Sequence, residues 1–210
     1  MEKGKYERKT MHTKKEIKEA FTELLDEKGF TAITIRDITT RANLNRGTFY
    51  LHYLDKYDLL EKCEEEIFQK LQEMAKNMNP SNLTQLYITG RPHPFIVNIF
   101  EYFKENASFL RAVLGPNGDP AFEEKVRKVL IETIFKNASN IVHLSNLTIP
   151  IEVVTQFISS AQIGVVRYWL NSNMQQTPEE IATMMFQMLT KGPFAASGLK
   201  KHLINDEGNV

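Results

Sequence analysis

Apolar residues recur at helical spacing along almost the whole chain, and capping residues cut that periodicity into bounded segments. Ile17, Ala20, Phe21, Leu24 and Leu25 form one stripe, the i, i+3, i+4 pattern of a helix with one buried face. Thr13 and Glu16 precede it at capping-box spacing, and Gly29 supplies a left-handed stop. Thr34 and Asp37 repeat the box ahead of Ile35, Ile38 and Ala42. Asn45 is placed to cap a third helix, from Arg46 to about His52, and Asp55 a fourth that runs to about Lys76. Residues 79–94, richer in Pro, Asn, Thr and Gly, read as a connection. Further helices are expected at about 95–105, 107–114, 120–142, 150–173 and 178–191. Asp119-Pro120 and Thr177-Pro178 each set a cap before a proline whose missing N–H costs nothing at the first helical position. The pattern predicts an all-α fold.

Composition narrows the function classes. Apolar residues make up 42% and charged residues 25%, enough to build a globular core. The longest apolar runs, such as Ile163 to Val166, fall far short of the roughly 20 residues that span a bilayer. With a polar N-terminal segment that has no apolar stretch, this gives a cytoplasmic expectation and no membrane partner. Cys63 is the only cysteine, which suits a reducing compartment, and Glu61, Glu64, Glu65 and Glu66 disfavour its thiolate. The five histidines are scattered, without the spacing of metal ligands. Gly115-Pro116-Asn117-Gly118 lacks the lysine of a phosphate loop, and no nucleophile stands at readable spacing from a base. Neither an enzyme nor a cofactor or metal is expected. The net charge is zero, yet residues 1–15 hold six basic side chains against Glu2 and Glu7. Residues 1–11 are therefore either a basic arm for phosphates or a solvated tail.

Residues 34–56 read TIRDITTRANLNRGTFYLHYLDK. Two short helices joined by about three residues, after a longer first helix, are the layout of a helix-turn-helix. The third helix is polar where a buried helix would be apolar, with Arg46, Gly47, Thr48, Tyr50 and His52. Gly47 costs about 1 kcal/mol against Ala in a helix, which points to close approach by another molecule. Phe49 and Tyr53, with Leu51 or Leu54, are placed to anchor this helix.

The pattern T-I-R-D-I-x-x-R-A-x-L-x-R-G-T-F-Y-x-H-Y-x-x-K-x-x-L closely resembles the N-terminal domain of the TetR family of transcription regulators, in detail over about residues 12–60. The resemblance implies a helix-turn-helix DNA-binding domain over 1–58, a helical ligand-binding and dimerisation domain over 59–192, and a tail over 193–210. It implies a ligand-responsive repressor that binds a palindromic operator in double-stranded DNA as a homodimer. A related set of TetR-like proteins acts as co-activators or interaction proteins, which is the alternative. Position by position, Arg46, Gly47 and Thr48 match residues facing base edges or adjacent phosphates, and Tyr50 and His52 match phosphate contacts. Thr34 and Arg36 stand near the backbone at the start of the second helix, and Lys56 supplies a further phosphate contact. Asn45 replaces a serine frequent at this cap. Leu51 is less polar than usual, so its groove contact is either lost or replaced by packing on a thymine methyl.

The C-terminal half supplies material for two further sites. Residues 151–170 are apolar around much of their circumference and include Ser159, Ser160 and Gly164, small enough for close helix approach. As the resemblance implies, helices 150–173 and 178–191 pair with their symmetry mates in a four-helix dimer interface, expected through Phe157, Ala161, Gly164, Val165, Met184, Met185 and Met188. Packing within one chain is the alternative. A small-molecule effector is expected among Phe100, Phe103, Phe109, Phe135 and Trp169, with His143 and Arg167 as polar groups to orient it.

Overall fold

The computed structural model describes residues 2–76, 92, 94–116, 118–139 and 147–199. Among them all regular structure is helical: α1 (Glu2–Ala32), α2 (Ile35–Arg41), α3 (Arg46–Tyr50), α4 (Lys56–Lys76), α5 (Pro94–Glu105), α6 (Ala107–Val113), α7 (Pro120–Ser139), α8 (Ile151–Asn171), α9 (Pro178–Lys191) and α10 (Pro193–Ala196). Most of the expected connection at 79–94, the end of the helix expected to reach 142, and the tail beyond 199 lie outside the described residues. No helix among those described is long and apolar enough to cross a membrane. The described residues fall into two compact units. One takes α1 to Gln72 of α4 together with Ala107–Glu123, and the other takes Glu73–Asn106 and the residues from Glu124 onward.

In the first unit α1 packs against α2 and α6. Ile17, Phe21, Leu24 and Leu25 are buried, as the stripe requires, together with Ile38, Phe49, Leu59 and Ile67. The expected boundary at residue 58 falls inside this unit. The reason is in α4, where Leu59, Leu60, Cys63 and Ile67 are buried and the Phe68 ring lies 5.3 Å from that of Phe122.

Two features near the N-terminus differ from expectation. α1 does not start at Thr13 but runs unbroken from Glu2, with Thr13 buried within it. Glu, Lys, Arg and Met, which dominate residues 2–12, are all good helix formers, so the caps at Thr13 never meet a helix end. The proposed arm over 1–11 is therefore helical from Glu2. Gly29 does break the helix, at φ 73, ψ 158, a region essentially restricted to glycine. One further helical turn follows it.

The second unit is organised around Trp169. Its indole is fully buried, meets the Phe100 ring edge-on at 5.2 Å, and donates through Nε1 to the Gln176 carbonyl at 2.9 Å. That bond ties α8 to the residue before the α9 cap. There Thr177 Oγ1 accepts from the Glu180 N–H at 3.2 Å and Glu180 Oε2 accepts from the Thr177 N–H at 2.8 Å, completing the capping box. α9 packs on both α5 and α8. Phe100→Ala should remove the face against which the indole is held and lower stability by about 3–5 kcal/mol, read as a lower denaturant midpoint at unchanged slope.

Candidate nucleic-acid interface

Local polar contacts set the α2–α3 unit. Thr34 Oγ1 accepts from the Asp37 N–H at 3.2 Å, and Asp37 Oδ2 accepts from the Thr34 N–H at 2.8 Å and its hydroxyl at 2.7 Å. Lys28 Nζ lies 2.8 Å from the same carboxylate, and with Thr34 it holds that carboxyl far below the usual range. Between the helices Asn43 adopts φ 53, a left-handed conformation that asparagine tolerates, and the Leu44 N–H donates to the Thr39 carbonyl at 2.8 Å. Asn45 Oδ1 then accepts from the Gly47 N–H at 2.8 Å and starts α3.

A five-residue helix cannot hold itself, since so few internal bonds close. Phe49 is fully buried and Tyr53 nearly so, their rings 5.6 Å apart. Leu51 and Leu54, the other expected anchors, are 80% and 79% exposed. They stand on the side of the segment that Phe49 and Tyr53 turn away from the core.

The outward face carries the expected donors. Arg46, Gly47 and Tyr50 are exposed and Thr48 is half-buried. Tyr50 keeps its ring edge-on to Phe49 at 5.7 Å. Arg36 and Arg46 form no ion pair among the described residues, whereas Arg41 is spent on Glu23 at 2.9 Å and Glu27 at 2.8 Å. A Cβ added at Gly47 would meet only Asn45 Oδ1, at an ordinary 3.5 Å, so nothing within the chain requires glycine there. His52 is half-buried, and burial first and the Lys14 charge second hold its imidazole below its usual pKa.

Lys56 has a different occupation from the phosphate contact expected of it. Its Nζ donates to the carbonyls of Phe30 at 3.0 Å, Thr31 at 3.1 Å and Ile33 at 2.9 Å. It also sits 4.8 Å from the centre of the Phe30 ring. An ammonium has three N–H donors, and all three are used inside the chain. Lys56 satisfies the Thr31 and Ile33 carbonyls and shares that of Phe30 with the Ile33 N–H, which donates to it at 3.2 Å.

Sequence reasoning passed over two cations at this site. Lys14 of α1 acts on His52 and shares a surface hollow of about 210 Å³ with Tyr53 and Lys62. Lys62 Nζ bonds the Asp58 carboxylate at 2.8 Å and the His52 carbonyl at 3.3 Å. The Asp58–Lys62 spacing of four was a usable signal. Nothing local to Lys14 marks its neighbourhood.

In the second unit the expected interface residues are largely uncovered. Phe157, Ala161, Gly164 and Met184 are exposed, and Val165, Met185 and Met188 half-buried. A Cβ at Gly164 would meet nothing within 4 Å. The expected effector residues do not gather into one place. Phe100 and Trp169 are packed core with half-buried Phe103 against Phe100 at 6.1 Å. Phe109 belongs to the first unit, edge-on to Phe122 at 6.4 Å. Phe135 is exposed, Arg167 half-buried, and His143 lies outside the described residues. Among those described, no cluster of three or more His, Cys, Asp or Glu could hold a metal.

Comparison with known proteins bears on both units. Residues 17–63 match the family model described as bacterial regulatory proteins, tetR family, and residues 90–191 match a transcriptional regulator C-terminal region. The HTH-type transcriptional regulator YxbF of Bacillus subtilis is 23% identical over 185 residues, covering 85% of this chain and 45% of its own length. YerO of the same organism, also an HTH-type transcriptional regulator, is 25% identical over 210 residues, covering 93% of this chain and 68% of its own. The chain thus spans about half the length of the first relative and two thirds of the second. A TetR transcriptional regulator from Streptococcus agalactiae superimposes with a TM-score of 0.60 at 26% identity, over 87% of this chain and 96% of that one.

Lys56→Met keeps the aliphatic stem but removes the donor to the Thr31 and Ile33 carbonyls. It should cost about 1–3 kcal/mol of stability without any DNA present. Unchanged thermal unfolding of this variant would return Lys56 to the surface.

Proposed function

Because the chain belongs to the TetR family of bacterial transcriptional regulators, we propose that it is a ligand-responsive repressor that binds a palindromic operator as a homodimer in the cytoplasm. The observation that carries the DNA reading is the outward face of α3. Arg46, Gly47 and Tyr50 are exposed there while Phe49 is fixed in the core, and Gly47 has no internal reason to be glycine. A missing side chain at the surface of a short helix lets another backbone or base edge come close. Arg46 would pair with a guanine edge, a contact worth about 1–3 kcal/mol of discrimination. Thr48, Tyr50 and His52, with Asn45 and the Thr34–Arg36 end of α2, would hold phosphates that fix the register. Lys14 adds its charge beside His52, and Lys56 serves as the strut beneath.

The homodimer is supported by the exposed stripe Val153, Phe157, Gly164 and Tyr168 along α8, with Met184 exposed on α9. Apolar side chains left in water along one helix favour burial against a second copy. A small-molecule effector would act in the second unit, with Phe103, Phe135, Arg167 and His143 as its candidates. It releases DNA only by preferring a conformation whose two reading helices are mis-spaced for successive major grooves.

Selection of random duplexes by the purified chain tests this reading: recovery of a palindrome is the expected result, and no enrichment at low salt would sink it. Gly47→Ala separates binding from folding. It should raise the stability of the free protein by up to about 1 kcal/mol and weaken binding to the selected duplex roughly tenfold, the cost of about one base contact. His52 gives the pH dependence its sign. Its pKa is depressed in the free protein, and a phosphate beside it favours the protonated ring. Binding then takes up a proton, so affinity rises as pH falls from 8 toward 6. His52→Gln should flatten that slope.

A further inference from the structure

Leu51 is the most exposed large apolar side chain among the described residues up to Gln72, at 80%, and it stands at the end of the helix proposed to read DNA. Its N–H donates to the Gly47 carbonyl at 3.2 Å and its own φ −69, ψ −19 is helical. Leu51 therefore lies one turn above Gly47 on the same face. At 100° per residue the direction opposite buried Phe49 passes between these two positions. Gly47 and Leu51 thus form the outermost ridge of α3, with Arg46 and Tyr50 on one flank and Thr48 and His52 on the other.

That ridge joins a gap to an apolar knob. With no side chain at Gly47, the Leu51 isobutyl group is the part of the ridge that reaches furthest from the core. It has neither donor nor acceptor. Most features of the major-groove edge are donors or acceptors, namely purine N7, guanine O6, cytosine and adenine amino groups and thymine O4. Packing any of these on leucine would bury them unpaired, at a cost. The thymine 5-methyl group is the one apolar feature of an unmodified groove. Resting on the DNA reading given above, we propose that Leu51 reads a thymine methyl group in each operator half-site, so that the reading helix specifies one T·A pair by apolar packing and a second pair by Arg46.

The test replaces single thymines of the selected duplex by deoxyuridine, which removes the methyl group and keeps every hydrogen-bonding atom. Binding of wild type should fall at one symmetry-related pair of positions, about fourfold for each methyl removed, the worth of one buried carbon. Leu51→Ala, at a site where the side chain touches little of its own chain, should bind the thymine and deoxyuridine duplexes equally well. Wild type indifferent to every replacement would overturn the assignment, as would an unchanged methyl preference in Leu51→Ala. Failure to select any duplex would instead overturn the DNA reading itself and the assignment with it.

Discussion

The ammonium of Lys56 holds the helix-turn-helix closed. Gly29 turns the chain out of α1, and the carbonyls of Thr31 and Ile33, with that of Phe30, which also accepts from the Ile33 N–H at 3.2 Å, converge on one space. Lys56 fills it from the first position of α4, reaching across 23 residues to Ile33, with the rings of Phe30 and Tyr57 about the same ammonium. Everything between, α2, the Asn43 turn and α3, is a loop whose two ends meet at this point. A charge-assisted bond to several carbonyls is worth more than a neutral one, and here it also sets where α4 starts. Asp55 and Asp58 then arrange the same end of α4: Asp55 Oδ1 accepts from the N–H groups of Tyr57 and Asp58, while the Asp58 carboxylate accepts from the Leu54 N–H. A positive side chain beside a helix expected to meet phosphates looks from sequence like a ligand contact. Its reach backward into the fold gives it a structural duty that would persist with no DNA present.

That difference marks what was legible in the sequence. The caps of α2, α3, α4 and α9 involve a side chain and an N–H two or three residues away, so Thr34, Asn45, Asp55 and Thr177 could be identified from spacing alone. Helix ends set by absence of a cap were harder. Thr13 and Glu16 have the spacing of a box, but residues 2–12 carry the helix past them. Long-range partners left no local trace. Phe109 has the same spacing logic as Phe100 and Phe103, and only the packed structure separates it from them by joining it to Phe122 in the first unit. Lys14 likewise gains its place beside His52 only in the folded chain, where the Lys18–Glu66 ion pair joins α1 to α4. The candidate DNA face was legible because its residues are consecutive, and the effector candidates were not because theirs are dispersed over four helices.

α3, the helix proposed to read DNA, has little internal stability of its own. Its five residues close few backbone bonds, its second position is a glycine, and its hold on the core is two aromatic rings. In return nearly the whole remaining circumference is available to a partner. Replacing Phe49 would release the element, whereas changes at Arg46, Gly47 or Leu51 leave its anchorage intact. The anchorage of this short helix and the face proposed to read DNA thus lie on opposite sides, and variation on the outer side is inexpensive to the fold.

Two sets of exposed apolar side chains among the described residues differ in their company. Tyr50, Leu51, Leu54 and Tyr57 stand among Asn45, Arg46, Thr48 and His52, so an occupant of that surface meets donors and positive charge as well as hydrocarbon. Val153, Phe157 and Tyr168 on α8 stand with Ser160, Ala161 and Gly164, small and uncharged, while Met184 and Leu189 are exposed on α9. Protein–DNA interfaces are polar and positively charged, while homodimer interfaces are the more apolar class and are depleted of charge at their centre. The first set suits a duplex groove with methyl groups among its hydrogen-bonding edges. The second suits another copy of the same helix, because small residues let two backbones approach and the stripe is complementary to itself under a two-fold axis. Exchanging the occupants fails at the first set, where a second α8 would leave Arg46 buried without a counter-charge.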